Sequence, residues 1–247
     1  MSYEEDLEQK IAEYTRQIEE NPNLAEAYKN RGDTYAKSGQ EEQAVQDYDK
    51  AIELNPNYDK VYNNRGLAYR GLKQYERAIQ DCGKAIELNP NNADYYYNRG
   101  LIYYDLEEYE LAVQSYDKAI ELNPNLAETY YNRGYVYAYL EQYERAIQDF
   151  DKAIELNPNF SAVYHERGLV YHDLEKYERA IQDFNKSIAL NPNDDYAYNN
   201  RGFSYYQLRQ YELALKDHDK ALELNPDDFW TKLFRKMCLN AMKKKNN

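Results

Sequence analysis

Three histidines, two cysteines and a set of regularly spaced arginines are the side chains here with the chemistry to bind or react. His165 and His172 lie seven residues apart on one helical face. That spacing is about 10 Å along a helix axis, too far for one metal ion without a ligand between them. The one-turn positions between them are Gly168 and Leu169. His218 falls at a core position of its pattern and reads as a satisfied core histidine. Cys82 and Cys238 sit far apart in two helical patterns, and read as buried thiols of a reducing compartment rather than a disulfide. No GxSxG, P-loop or HExxH motif occurs. Carboxylates on nearly every helical turn describe a solvated face, not a convergent pocket. The expectation is no catalytic residue, no metal and no cofactor.

The arginines are the oddest polar feature. Arg31, Arg65, Arg99, Arg133, Arg167 and Arg201 each lie between core-type Tyr and Gly residues, in Tyr-x-x-Arg-Gly-x-x-Tyr. Sixteen residues later comes an aspartate: Asp47, Asp81, Asp149, Asp183 and Asp217, with Ser115 as the exception. An arginine can keep its stem in a core and its fork at the edge. The spacing predicts an Arg–Asp pair repeated along the chain, within a repeat or between neighbours. The alternative, an anion-binding role, does not require six identical copies.

The elements that position these residues recur every 34 residues. Asn-Pro stands at 21–22, 55–56, 89–90, 123–124, 157–158, 191–192 and 225–226. Each unit has two stretches with apolar and small residues at three- and four-residue intervals, such as 25–38 and 41–54. The proline stops the second helix, and the next unit begins just beyond it. Downstream of each glycine comes an alanine with a bulky residue four later: Ala44/Tyr48, Ala112/Tyr116, Ala146/Phe150 and Ala180/Phe184, with Ala78/Cys82 and Ala214/His218 as variants. A glycine inside a helix costs about 1 kcal/mol against alanine. Its presence in all six units predicts a close approach of the second helix, with the alanine as the matching small residue.

This pattern resembles the tetratricopeptide repeat, W-x2-L-G-x2-Y then A-x3-F then P. Tyr replaces the first Trp and Arg replaces the Leu before Gly. The resemblance covers residues 25–228 as six repeats (25–58, 59–92, 93–126, 127–160, 161–194 and 195–228). It implies an all-α fold, a right-handed α-solenoid of antiparallel helix pairs A and B.

The flanks read as caps. Residues 1–24 carry a lone B-type helix, with Ser2 and Glu5 spaced as a capping box and a stripe of Leu7, Ile11, Tyr14 and Ile18. Lys10 and Gln17 take slots that are small elsewhere. Residues 229–247 carry a lone A-type helix and a basic tail. There Lys232 and Lys236 replace the Tyr and Gly that face helix B, while Phe229, Leu233, Phe234, Met237 and Ala241 form a stripe expected to pack on the sixth repeat. Head-to-tail stacking would bring Lys10 to Lys236, a costly contact, so a capped monomer is expected.

Composition bounds the partners. A net charge of -13 weighs against nucleic acid and against an anionic membrane surface. The 30 tyrosines supply packed area despite a mean hydropathy of -1.04, which argues against disorder. No run is apolar enough to span a membrane, and the acidic start has no signal-peptide core. A cytoplasmic location is expected.

The resemblance also implies a protein-binding groove lined by the A helices, which holds an extended peptide or a partner helix. Its candidate residues are Tyr97, Asn98, Leu101, Tyr104, Tyr131, Asn132, Tyr135, Tyr139, His165 and Leu169, with aromatic groups concentrated in the third and fourth repeats. Glu26, Asp94, Asp105, Glu128 and Asp173 make the flanks acidic. Family members that grip acidic chaperone C-termini use a two-carboxylate clamp. Lys29 and Asn64 match it, but Asp33, Asp94 and Asn98 do not. A partly basic segment with aliphatic or aromatic anchors is expected instead. The implied function is a protein-interaction scaffold or adaptor, with a self-associating structural module as the alternative.

Overall fold

The computed structural model describes residues 2–245, the last by its backbone alone. Met1, Asn246 and Asn247, which belong to the expected end segments, lie outside the described residues. Fourteen helices and no strand occur among the described residues. A lone helix, α1 (Tyr3–Glu20), comes first. Three pairs follow: α2 (Ala25–Lys37) with α3 (Glu41–Leu54), α4 (Asp59–Gly71) with α5 (Tyr75–Leu88), and α6 (Ala93–Asp105) with α7 (Tyr109–Leu122). Three more are α8 (Ala127–Tyr139) with α9 (Tyr143–Leu156), α10 (Ser161–Asp173) with α11 (Tyr177–Leu190), and α12 (Asp195–Gln207) with α13 (Tyr211–Leu224). The last helix is α14 (Phe229–Lys245). The chain packs as two compact units divided after Pro124. The first holds α1–α7 and the second α8–α14. Each is a solenoid in which a helix packs on its hairpin partner and on the next pair of the same unit.

The A-helix glycine works as a seat for the ring on helix B. A Cβ at Gly32 would meet Tyr48 at 2.8 Å, and one at Gly168 would meet Phe184 at 2.8 Å. At Gly66 the smaller Cys82 stands opposite, and a Cβ would meet the Ala78 carbonyl at 3.1 Å. The expected close approach is therefore mainly to the bulky residue, with the small alanine letting the helix B backbone near. Ala44, Ala78, Ala112, Ala146, Ala180 and Ala214 are all fully buried.

The A-to-B turn has a feature the composition conceals. Gly39 takes a left-handed conformation there, at φ 71°. Lys73, Glu107, Glu141, Glu175 and Arg209 take the same conformation at the equivalent position, with φ between 56° and 60°. A non-glycine residue pays for that conformation, so the 34-residue frame, not local propensity, sets the turn.

The N-terminal helix has its capping box, with Ser2 Oγ accepting from the Glu5 backbone and the Glu5 carboxylate accepting from the Ser2 backbone at 2.7 Å. Leu7 is buried; Ile11, Tyr14 and Ile18 are half-buried. Lys232 and Lys236 of α14 are exposed. The expected C-terminal stripe needs correction. Phe229 is 68% exposed and Leu233 37%, whereas Thr231 and Cys238 are buried. Thr231 and Cys238 are the seventh copies of two positions buried in the A helices: Ala27, Val61 and Tyr95 for the first, Thr34, Ala68 and Ile102 for the second. The helix keeps the face that meets the preceding repeat; of the expected stripe, Phe234, Met237 and Ala241 are half-buried beside it.

Candidate functional site

Four of the six repeated arginines, Arg31, Arg65, Arg167 and Arg201, are bonded on both sides. Arg65 donates through Nε and Nη2 to both oxygens of Asp81, each at 2.7 Å, and through Nη1 to Asp49 at 2.6 Å. Asp81 lies on its own helix B, sixteen residues later; Asp49 lies on the preceding helix B, sixteen residues earlier. Arg31 repeats this with Asp47 and Thr15, Arg167 with Asp183 and Asp151, and Arg201 with Asp217 and Asn185. Arg133 grips Asp149 at 2.8 and 2.6 Å. The Arg65 guanidinium also lies over the rings of Tyr62 and Tyr69. Burial works against its charge, but the bonds to Asp81 and Asp49 outweigh that and raise its pKa. The pairing expected within a repeat is present, and a second partner between repeats accompanies it. Even α14 keeps the register, with Arg235 donating to Asp219 at 2.5 Å.

In the first unit, the A-helix face is a polar ladder. Asn98 donates to Asn63 at 3.0 Å, Asn63 to Asn64 at 3.3 Å, and Asn64 to Asp33 at 2.8 Å. Asp33 also accepts from the buried Tyr48 hydroxyl at 2.8 Å and lies 3.1 Å from Lys29. The two side chains that match a carboxylate clamp, Lys29 and Asn64, are thus both held by Asp33. One open cleft beside this ladder is lined by Lys29, Asp33, Asn64, Asp94, Tyr97 and Asn98. Tyr97 is half-buried, with its ring 6.1 Å from Tyr116. Leu101 and Tyr104 are half-buried, and Tyr104 packs 6.0 Å from Tyr109. Asp105, expected as an acidic flank, is held by Arg70 through two bonds of 2.5 and 3.2 Å.

The second unit's A-helix face is aromatic. Tyr131 and Tyr135 lie together, with centroids 6.4 Å apart, and Tyr131 also packs 6.3 Å from Phe150 and 5.0 Å from Phe160. Both are half-buried. Tyr139 is 60% exposed. Asn132 donates to the Glu128 carbonyl at 2.9 Å. His165 packs on Phe184, and Asn200 donates to its Nε2 at 3.0 Å. Leu169 is half-buried. A continuous ring stack runs on from His172 to Phe203 at 5.0 Å and from Phe203 to Phe234 at 4.8 Å. Phe203 and Phe234, which extend this stack, are not among the residues expected to line the groove.

The histidines serve packing. His172 Nδ1 lies 2.9 Å from Ser204 Oγ, and burial pushes its pKa down. His218 is fully buried, with Nδ1 2.9 Å from Asn199 Oδ1. Its Nε2 has no partner among the described residues, so the expected satisfaction is only half met. Burial lowers its pKa to about 4. Cys82 and Cys238 are buried free thiols, pushed up to about 12 and about 11 by burial. Among the described residues no group of three or more His, Cys, Asp or Glu side chains could hold a metal ion. No helix there is long and apolar enough to cross a membrane.

Comparison with known proteins agrees with the repeat register. Models described as tetratricopeptide repeat match residues 59–92, 127–160 and 196–228, and residues 13–46, 82–114 and 150–182. A model described as TPR repeat matches 32–73, 100–140 and 168–209. No curated protein matches the chain. Among solved structures, YrrB, described as a TPR protein with an unusual peptide-binding site, is 28% identical at a TM-score of 0.59, covering 74% of this chain and 95% of YrrB. A chain of the APC/C hetero-tetramer Cut9–Hcn1 matches at a TM-score of 0.76 and 18% identity; the match covers 94% of this chain but only 46% of that one. Pseudomonas aeruginosa pilF matches at a TM-score of 0.76 and 21% identity, covering 86% and 97%. The last two likenesses concern the fold alone.

Proposed function

Since the chain belongs to the tetratricopeptide-repeat family, we propose that it is a protein-interaction scaffold that holds an extended peptide on its A-helix face. The observation that carries this reading is the open cleft of the first unit, where Tyr97 and Asn98 of α6 stand beside Asn64 of α4 and Lys29 of α2. An extended peptide needs partners for its backbone N–H and C=O groups, and amide side chains supply both kinds. Asn98 spends its N–H on Asn63, and its carbonyl oxygen has no partner among the described residues. Tyr97 offers a ring at the cleft wall, a side chain well suited to anchoring. Asp33 and Asp94 favour a basic residue on the peptide. The likeness to YrrB, itself described as peptide-binding, supports the same reading. In the second unit Tyr131, Asn132, Tyr135, Tyr139, His165 and Leu169 offer a ring-rich face for an aliphatic or aromatic segment.

The test is selection from a random peptide library, followed by titration of the winners. Peptides with Lys or Arg beside an aromatic or aliphatic residue are expected. Asn98→Ala combined with Tyr97→Ser should weaken their binding at least about tenfold, consistent with loss of an anchor, while helicity by circular dichroism stays unchanged. Selected peptides that bind this variant as tightly as the parent would remove the first-unit cleft from the proposal. Tyr131→Ser with Tyr135→Ser asks the same of the second unit.

A further inference from the structure

One arginine breaks the pattern of the other five. Arg99 meets Ser115 where its counterparts meet an aspartate of their own helix B, and Gly83 where Arg65 meets Asp49. Its Nε donates to Ser115 Oγ at 3.2 Å, and its guanidinium lies over the Tyr96 ring at 5.3 Å. Nη1 and Nη2 have no partner among the described residues, and no ion pair reaches it. Elsewhere in the first unit, Arg31 and Arg65 each hold a carboxylate with two bonds of 2.7 Å.

Gly83 makes the departure more than a lost ion pair. It lies inside α5, where glycine is a poorer helix former than alanine. The A-helix glycines are seats for a ring, but a Cβ at Gly83 would meet nothing within 4 Å. Packing therefore gives no reason for glycine there. What the glycine does is leave open the space that the Asp49 side chain fills one repeat earlier, a space the size of an acetate ion. The equivalent arginine of the sixth repeat, Arg201, lines an open cleft with Tyr198, Asp217 and Asp219, so this register position is reachable from solvent.

We propose that Arg99, Ser115 and Gly83 form a carboxylate-binding site between α5, α6 and α7. The ligand carboxylate lies over Gly83 and accepts from Arg99 Nη1, the nitrogen through which Arg65 meets Asp49, and from Nη2, which in Arg65 goes to Asp81. A guanidinium presents two parallel N–H bonds suited to a carboxylate. The Ser115 hydroxyl accepts from Nε and has its own proton to give to the ligand. The net charge of -13 opposes any anion at long range, so binding here is local, and screening salt does not abolish it. The site is separate from the A-helix cleft and does not depend on it.

The experiment follows the Arg side-chain Nε–Hε resonances by NMR, with Arg99→Lys assigning the Arg99 peak. Sodium acetate is titrated against sodium chloride at matched ionic strength. Acetate should move the Arg99 resonance saturably and leave Arg65 in place. A capped glutamate-containing peptide that acts at a lower concentration than acetate identifies a protein side chain as the source; equal potency identifies a free small acid. No acetate response at Arg99 beyond that of chloride overturns the proposal. Gly83→Asp supplies the carboxylate within the chain, with Gly83→Ala as the control for helix propensity. The aspartate variant should melt about 2 °C or more above the alanine variant, the range expected for one ion pair in a chain of this size, and its Arg99 resonance should no longer respond to acetate. Equal melting of the two variants, with the acetate response retained in the aspartate one, also counts against it.

Discussion

The two units share one backbone frame and fill it with different chemistry. On the first unit's A-helix face, hydrogen bonds run from Asn98 through Asn63 and Asn64 to Asp33, and Arg70 holds Asp105. On the second unit's face, the neighbouring helices meet through rings, from His172 to Phe203 to Phe234. All three histidines lie in the second unit. The glycine seat and the small alanine recur in every hairpin, and the Arg–Asp fork in five of the six. Positions that face neighbouring A helices are then free to vary, and they vary as groups: amides bond amides, rings stack on rings. A repeat protein can thus change its surface one unit at a time without changing its fold.

The ring stack gives the largest expected effect. Phe203 touches rings from both neighbouring A helices, so Phe203→Ala should cost about 3 kcal/mol. The loss should be local. Amide hydrogen exchange should quicken in α12 and α14 and stay unchanged in α2 to α6, because each repeat contacts only its neighbours. Equal loss of protection in both units would mean that they unfold as one body, and would break the comparison.

Acid should separate the units next. His218 has a folded pKa lowered to about 4 from an ordinary 6.5, because burial disfavours its charge. Between those values the unfolded chain binds more protons, so stability falls as pH drops from 6.5 towards 4 and this contribution then levels off. The whole window is worth of order 3 kcal/mol. Asp219 partly offsets the burial and is the charge that acts on the ring. His172 adds a loss of the same sign. His218→Phe puts in place the ring type that Phe150 and Phe184 supply in the fourth and fifth repeats, and should flatten the pH dependence of urea unfolding in the second unit. The first unit has no histidine and should show no change from pH 6.5 to about 5; below that its own carboxylates, such as the Asn89- and Tyr95-bonded Asp59, begin to lose their contribution. An unchanged pH profile in His218→Phe would show that the ring is not the titrating group.

Much of this was legible in the sequence, and the misses have definite causes. The Asp sixteen residues after five of the six arginines is visible, and the fork to it is present. The partner sixteen residues before is less regular, being Thr15, Asp49, Gly83, Asp117, Asp151 and Asn185, so the contact between neighbouring repeats is fainter in the sequence than the one within a repeat. In α14, hydrophobicity pointed to Phe229 and Leu233; register would have pointed to Thr231 and Cys238. A cap keeps the polar or small residue that fits its neighbour, so position outranks polarity there. The left-handed turn residues carry no signal, because lysine, glutamate and arginine have no preference for that conformation. The A-helix face was the least legible, since a half-buried tyrosine such as Tyr131 meets its own helix B and the solvent at once.

The polar ladder of the first unit provides the smallest effect and the sharpest reading of what its chemistry is for. Asp33 accepts from the buried Tyr48 hydroxyl and from Asn64, and lies beside Lys29. Asp33→Ala leaves the Tyr48 hydroxyl buried without that acceptor, a loss of about 1–2 kcal/mol. Asp33→Asn keeps an acceptor oxygen for Tyr48 and should cost less than half as much. On binding the same two variants act alike, since both remove the charge at position 33. With the Asp33 charge gone, Lys29 keeps only Glu26, at 3.9 Å, and Asn64 loses an anionic acceptor, so an acidic peptide tail meets one fewer like charge beside that cation. The parent should bind such a tail worse than a basic peptide by fluorescence titration, and Asp33→Asn should narrow or reverse that order at low salt. If stability falls as expected but the peptide preference does not move, the ladder is purely structural and the charge preference of the cleft comes from Asp94.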